Sequence, residues 1–162
     1  RGFFGRRQSA ATAERLPPGQ YETRDFPVLS AGPTPRTPLA VWDFTLRGAD
    51  GSSARWSWDE FVALPHQTTT KDIHCVTKWS KFGTTWEGIS VDTLLGEAAA
   101  KGVKPSPFVL ARYDGSYTTN LPLSDVTDGK AWIAYMYDVN TQHTRPSGAA
   151  RLLRHPLNFG TR

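Results

Sequence analysis

The chain has 162 residues, of which 38% are hydrophobic and 21% are charged, so it is long enough for one domain with a sizeable core. A single cysteine excludes an internal disulfide and a cysteine-rich zinc site, and no apolar run is long enough to span a membrane. The net charge of +4 comes from the arginine-rich ends, residues 1–36 and 141–162. These ends suit an anionic partner, either a phosphate-bearing cofactor or a nucleic acid, but no motif of a nucleic-acid reader is visible.

Residues 1–38 are rich in Pro, Arg and Gly, and we expect them to be extended and to wrap the surface of a domain. No apolar signal region follows Arg6 and Arg7, so we expect a cytoplasmic protein. The domain itself is expected over residues 39–162.

The first part of the domain shows two strands and a helix. Alternation of polar and apolar residues predicts a strand over residues 39–48, and a second strand is expected near Trp56. Ser57, with Glu60 three residues later, forms a capping box that begins a short helix, and Pro65 ends it.

Further elements follow at short intervals, which predicts an α+β, mixed β-rich domain. Ser90 or Asp92 caps a helix that Gly102 stops. The remaining predictions are strands over residues 67–77, 108–113, 117–121 and 131–138, a loop over 78–86, a tight turn at Asp114-Gly115, and no element after residue 138.

Cys75 lies where the strand over residues 67–77 is followed by polar residues, a place where functional sites are often built. Its thiol is a buried small hydrophobe, a nucleophile or a ligand for a soft metal. His74 is adjacent and points to the opposite face of a strand, which argues against a nucleophilic pair of these two. Lys78 and Lys81 are three residues apart and suit an oxyanion or a phosphate.

The residues around Cys75 also carry a family likeness. The run from Asp72 to Lys81, followed by Trp86-Glu87-Gly88-Ile89 and residues 91–95, resembles the molybdopterin-binding oxidoreductases of the sulfite oxidase family, and most of all their small, single-domain bacterial branch. Further matching segments lie at residues 16–21, 26–32, 117–123 and 129–132, so the likeness covers about residues 16–138.

The resemblance implies a sulfite-oxidase-type molybdopterin-binding fold and Mo-molybdopterin as the cofactor. It implies that Cys75 is the metal ligand and that Lys78 and Lys81 help to hold a small oxo-bearing or oxyanion substrate. The reaction it implies is two-electron oxygen-atom transfer, with an external electron carrier and with neither nucleic acid nor membrane as a partner. By the same resemblance, the cofactor slot is lined by Ser30, His74, Lys78, Tyr113 and Thr119.

The likeness weakens after Asp138. Arg151 matches an arginine of the family and is expected at the pterin phosphate, whereas the family's Lys-Ser-x-Lys element is missing. The domain is therefore expected to be incomplete at its C-terminus. The main alternative function is a cofactor-free scaffold of the same fold that acts as a binding module. A cysteine hydrolase using Cys75 with a distant histidine, and a nucleic-acid binder using the basic ends, are further alternatives.

Overall fold

The computed structural model describes residues 15–27, 37–75, 77–112, 118–138, 146–154 and 158–159. Strands predominate and helices are few, which confirms the predicted α+β, β-rich class. In chain order the strands are β1 (Tyr21–Glu22), β2 (Asp43–Arg47), β3 (Ser53–Ser57), β4 (Gln67–Cys75), β5 (Trp79–Ser90), β6 (Phe108–Arg112), β7 (Thr118–Pro122), β8 (Ala131–Tyr137), β9 (Pro146–Arg154) and β10 (Asn158–Phe159), and the α-helices are α1 (Trp58–Val62) and α2 (Val91–Ala100).

The main sheet has the strand order β10-β4-β5-β8-β9, with β1 also paired to β5. The pairs β4–β5, β5–β8 and β8–β9 are antiparallel, whereas β10 runs parallel to β4 and β1 runs parallel to β5. Ser80 of β5 pairs with His74 on β4 and with Glu22 on β1, so β1 lies on the edge of β5 away from β4. The N-terminal lead thus contributes a strand to the sheet. Hairpins β2–β3 and β6–β7 form two small sheets.

The start of the domain follows the prediction in part. A 3-10 turn, Leu39–Val41, replaces the first half of the expected strand, and β2 begins only at Asp43. The capping box of α1 is confirmed: the Ser57 hydroxyl accepts from Glu60 N–H, and the Glu60 carboxylate accepts from Ser57 N–H. This contact joins residues three apart, so the local sequence alone specifies it.

Helix α2 begins after Ser90, whose hydroxyl accepts from Thr93 N–H at 3.0 Å. Ser90 is therefore the cap, while the Asp92 carboxylate accepts from the backbone of the loop at Asp128 and Gly129. Within the described ranges, no helix is long and apolar enough to cross a membrane.

The predicted loop over residues 78–86 is wrong for residues 79–86, which belong to the long strand β5; Lys78 alone lies in a loop. Its polar residues suggested a loop, yet Ser80 and Thr84 are buried. Strands lie on both edges of β5, and their backbone groups satisfy its own. Tertiary pairing thus overrides the local preference.

The prediction of no element after residue 138 is also wrong, because two strands lie there. Strand β9 pairs with β8, with Leu153 opposite Trp132, and Leu153 is fully buried. Strand β10 lies beside the end of β4. The divergent tail therefore supplies strands to the main sheet, although the Pro-Ser-Gly-Ala-Ala run that begins β9 lacks strand alternation.

Two buried clusters on the main sheet matter for the site. The larger cluster joins α1, α2 and the β2–β3 hairpin to the sheet, with Phe61, Ile89 and Leu94 at its centre. The second cluster, here called the aromatic cluster, comprises Ile73, Trp79, Trp86, Ala134 and Leu153, with Phe26, Cys75 and Tyr137 packed against it. The aromatic cluster thus brings the single cysteine into contact with the sheet core.

Candidate functional site

Cys75 is the last residue of β4, and only three residues separate it from β5. The N–H of Lys78 donates to the Cys75 carbonyl at 3.0 Å, and Lys78 adopts a left-handed backbone with φ of 73°. A three-residue hairpin loop commonly needs this conformation at its last residue. Cys75 is therefore presented at the tip of a tight hairpin.

The thiol of Cys75 is half-buried. Its sulfur lies 3.1 Å from the hydroxyl of Thr77, and its side chain packs against the aromatic cluster. In the same cluster the indole Nε1 of Trp79 is buried and has no hydrogen-bond partner within the described part of the chain. An unsatisfied buried N–H is costly and calls for a partner, such as an acceptor on a bound ligand.

His74 faces the other side of β4 from Cys75, as predicted. Its Nδ1 lies 2.8 Å from the Ser80 hydroxyl. Its ring packs edge-on against the Phe82 ring, with 6.1 Å between the ring centroids. Cys75 instead contacts the aromatic cluster. The geometry thus separates these neighbours and gives no support to a Cys-His nucleophilic pair made of the two.

Residues 15–27, here called the strap, run along β5 beside the hairpin. The N–H groups of Tyr21 and Thr23 donate to the carbonyls of Lys78 and Ser80 at 2.9 and 2.8 Å. The strap therefore holds the backbone on both sides of Trp79, immediately after the hairpin tip.

Arg15, at the start of the strap, lies 2.5 Å from the Asp72 carboxylate, and its guanidinium sits over the Phe82 ring. Asp72 also accepts from Gly83 N–H at 2.9 Å. Partial burial raises the pKa of Asp72, but the bonds from Gly83 and Arg15 outweigh it and hold that pKa below its ordinary value. The carboxylate is thus a charged anchor between the strap and the hairpin.

The two lysines that were predicted to hold a substrate, Lys78 and Lys81, have different surroundings. Lys78 is exposed at the hairpin tip. The ammonium of Lys81 donates to the Arg24 carbonyl and lies 5.2 Å from the centre of the Phe26 ring. Lys81 is thus engaged with the strap, and Lys78 is the lysine that the tip presents to solvent.

The other predicted slot residues are not brought together with Cys75 by any described contact. Thr119 lies on β7 opposite Ala111, in the small β6–β7 sheet. Arg151 lies on β9 opposite Ala134, and only its backbone is described. Ser30 and Tyr113, like the predicted turn at Asp114-Gly115, fall outside the described residues.

Three residues at the site were missed from the sequence. The sequence predicts a loop at Trp79 and Ser80, and it indicates Gln20 only as part of a segment that resembles the family. In the structure the Ser80 hydroxyl contacts both His74 and Gln20. The sequence signal that could have pointed to Gln20 and Ser80 is that both lie in segments that resemble the family.

The part of the chain that the structure describes contains no group of three or more His, Cys, Asp or Glu side chains that could hold a metal ion.

Comparison with known families agrees with this architecture. Residues 31–145 match the oxidoreductase molybdopterin-binding domain. The chain belongs to this family. It is therefore a molybdopterin-binding oxidoreductase domain of the sulfite oxidase type, its cofactor is Mo-molybdopterin, and the cofactor-free scaffold is not favoured.

Individual relatives extend the likeness beyond that range. The chain is 29% identical over 137 residues to the uncharacterized oxidoreductase YuiH of Bacillus subtilis (strain 168), covering 84% of this chain and 68% of that protein. Its fold matches the sulfane dehydrogenase SoxCD of Paracoccus pantotrophus with a TM-score of 0.57 and 18% identity. That match covers 73% of this chain and 34% of the other, so this chain spans about a third of that protein's length.

Proposed function

We propose that the chain is a sulfite oxidase-like enzyme in which Cys75 ligates the molybdenum of Mo-molybdopterin. The observation that carries the proposal is the half-buried thiol at the hairpin tip, within the residues that match the family. A thiolate is a soft ligand, which suits this metal. One thiolate supplies a single ligand, so the cofactor's own sulfur atoms would complete the binding of the metal.

The residues around the thiol fit such a cofactor. Among the described side chains, Thr77 alone bonds to the sulfur, and the thiol is only half-buried, so part of it is accessible to a ligand. The indole N–H of Trp79, which has no hydrogen-bond partner among the described residues, offers a donor in the same cluster. Lys78 adds an exposed cation at the tip, which suits the phosphate of a pterin or an anionic substrate.

When bound, the cofactor supplies two-electron oxygen-atom transfer, and the chain supplies binding, orientation and charge. Cys75 would hold the metal. Lys78 would attract the anion, and the ammonium of Lys81 would fasten the strap over the hairpin. We also keep Lys81 as a candidate for substrate binding, together with Ser30, Tyr113, Thr119 and Arg151 for the cofactor slot.

The proposed substrate is a small oxo-bearing compound or oxyanion, and an external electron carrier would complete the reaction. The sequence contains no Cys-x-x-Cys-His haem motif, so the proposed carrier is a separate protein or domain. The cytoplasmic location remains a prediction from the sequence.

The test is the molybdenum and pterin content of the chain purified from a host that makes the cofactor. We expect the wild type to carry both and Cys75→Ser to lose most of the molybdenum. Thr77→Val is the matched control: it removes a neighbour of the sulfur but not the ligand, and it should keep the metal. Circular dichroism would confirm that each variant is folded.

Two results would contradict the proposal. One is a folded wild type without molybdenum. The other is a Cys75→Ser variant that holds as much molybdenum as the wild type, which would assign the metal to another residue.

A further inference from the structure

Trp79 carries a hydrogen-bond donor for which the described part of the fold supplies no acceptor. Its side chain is 7% exposed, and its indole Nε1 has no partner among the described residues. Trp86, in the same aromatic cluster, shows the usual arrangement, because its Nε1 donates to the buried Thr84 hydroxyl at 2.8 Å. Native structures seldom keep a buried N–H without an acceptor, since leaving it unpaired is destabilising. The Trp79 indole is therefore a candidate for binding a ligand.

Strand pairing places this donor beside the thiol. His74 of β4 lies opposite Ser80 of β5. Because side chains alternate along a strand, the next residues towards the hairpin tip, Cys75 and Trp79, both point to the other face of the sheet. Trp79 belongs to the aromatic cluster, and Cys75 packs against that cluster. The indole and the thiol are thus neighbours on one face, so a ligand held at the sulfur comes next to Trp79.

The neighbours of the indole narrow down the source of its acceptor. Phe26 packs edge-on against the Trp79 ring, with 5.8 Å between the ring centroids, and Ile73 lies in the same cluster. Neither of these two side chains has an acceptor atom. Among the described side chains, Thr77 alone bonds to the Cys75 sulfur, so the indole does not use that sulfur. An acceptor that arrives with a ligand would meet a buried donor, where hydrogen bonds are stronger than in water.

We propose that Trp79 is a binding residue that donates its indole N–H to an oxygen or sulfur acceptor of the ligand held at Cys75. This inference rests on the proposed function, because it needs a ligand at the thiol. The indole N–H only donates and is uncharged, so it selects for an acceptor without adding charge, whereas Lys78 supplies the cation. The acceptor belongs either to the cofactor or to the small oxyanion substrate, and the experiments below separate these two sources.

The donor can be observed directly in proton–nitrogen correlation spectra of the full chain. The sequence has six tryptophans, and the indole signal of Trp79 is the one missing from Trp79→Phe. If the acceptor lies on the cofactor, the Trp79 proton signal should move downfield in the wild type purified with cofactor, compared with the cofactor-free chain. If it lies on the substrate, the signal should move only when sulfate, an unreactive oxyanion, is added to the loaded chain.

Trp86 provides the internal control, because its N–H already has an acceptor and its signal should move little in either experiment. A Trp79 signal that moves neither with the cofactor nor with sulfate would overturn the proposal. This readout is made on the wild type, so it does not depend on the stability of a variant.

Removing the donor gives a second readout. Trp79→Phe keeps an aromatic ring but loses the N–H, and Trp86→Phe is the matched control, since it leaves a similar cavity in the same cluster. For an acceptor on the cofactor, Trp79→Phe should bind pterin about tenfold more weakly than the wild type, as expected for one lost buried hydrogen bond. For an acceptor on the substrate, pterin binding should be unchanged and sulfate should bind about tenfold more weakly. Trp86→Phe should change neither affinity.

The cofactor-free chain tests whether the indole is unpaired within the protein. There, Trp79→Phe should lower the melting temperature less than Trp86→Phe, because only Trp86→Phe breaks a hydrogen bond. An equal or larger drop for Trp79→Phe would show that the protein itself pairs the Trp79 N–H, and this would overturn the proposal. A wild type that carries no cofactor would overturn the proposed function and this inference with it. A loaded wild type in which Trp79 responds to neither ligand would overturn this inference alone.

Discussion

The backbone N–H of Lys78 donates to the carbonyl of Cys75 at 3.0 Å, so the left-handed Lys78 closes the turn that carries the thiol. A side chain makes this conformation unfavourable, and glycine adopts it without that penalty. The chain thus keeps a strained lysine where glycine would give a more stable turn. This strain supports the proposal that the Lys78 ammonium binds an anion at the hairpin tip.

Replacing Lys78 in two ways separates its backbone from its charge. Both Lys78→Gly and Lys78→Ala remove the ammonium, but only glycine relieves the left-handed conformation. We expect Lys78→Gly to be more stable than Lys78→Ala by about 1 kcal/mol in denaturant unfolding. If the ammonium binds the cofactor phosphate, both variants should lose pterin to a similar degree. Full pterin retention in both would remove Lys78 from the site.

Gly88 lies where β5 meets β8, and a Cβ atom there would come within 2.5 Å of the Ile133 carbonyl oxygen. Because backbone cannot move aside easily, Gly88→Ala should destabilise the protein by roughly 1–3 kcal/mol. Gly96, in the exposed part of α2, has open space around it. Gly96→Ala should stabilise by about 0.5–1 kcal/mol. Thermal unfolding should show a lower melting temperature for Gly88→Ala and a higher one for Gly96→Ala. Equal changes in melting temperature would contradict the close packing at Gly88.

The Arg15–Asp72 ion pair should make the attachment of the strap sensitive to acid. The pKa of Asp72 is lowered on folding, so its contribution is present above the unfolded pKa, near 3.8, and is lost as the pH falls through the folded value. Arg15 and Asp72 are 54% and 31% exposed, so Arg15→Gln should cost only about 0.5 kcal/mol at neutral pH.

The measurement is unfolding free energy against pH for the wild type and Arg15→Gln. The difference between them should vanish in acid. Arg24→Gln, an exposed charge change on the same strap, serves as the control and should have no such pH dependence. A difference between wild type and Arg15→Gln that persists below the folded pKa would show that the contact with Phe82, rather than the ion pair, holds Arg15.

Tyr135 should make stability sensitive to alkali. Burial, and then the hydrogen bond that its hydroxyl donates to Glu87 at 2.7 Å, raise the pKa of Tyr135 well above its ordinary value. The stabilisation is therefore present below the unfolded pKa, about 10, and is lost as the pH rises towards the folded value. Tyr135→Phe should cost about 1–2 kcal/mol at neutral pH, and this difference should shrink above about pH 10.

Tyr137→Phe is the control for this change, because the Tyr137 hydroxyl makes no hydrogen bond to the residues described. Its unfolding free energy should stay close to that of the wild type at both neutral and high pH. If Tyr135→Phe and the wild type keep a constant difference up to high pH, the bond to Glu87 does not control the titration of Tyr135.

Local elements of the fold were predictable because their determinants lie close together in the chain. The Ser57–Glu60 capping box and the Ser90 cap depend on contacts between residues three apart, and both are present. The end of α2 at Gly102, with its φ of 85°, is equally local. These contacts form wherever the helix forms, so the residue types are enough to predict them.

Strands β5 and β9 were not predictable in this way. The polar residues of β5 and the small residues that begin β9 favour loops on their own. Their backbone groups are satisfied only when partner strands come alongside: β4, β8 and the strap for β5, and β8 for β9. β4 adjoins β5 in the chain, but β8 and the strap, on the other edge of β5, lie far from it in the chain. The state of these segments therefore depends on the whole sheet.

At the site, too, local sequence determined some features and tertiary structure determined the others. Sequence by itself determined the family, the cofactor class and the candidate thiol, because the motif around Cys75 is contiguous and its chemistry belongs to the residue types. Only the tertiary structure decided that Lys81 is engaged by the strap while Lys78 is exposed, and that Gln20 reaches His74 through Ser80 across 60 residues of chain. The physical reason is that a hydrogen bond requires atoms about 3 Å apart, and for distant residues only the packing of the sheet brings them to that distance.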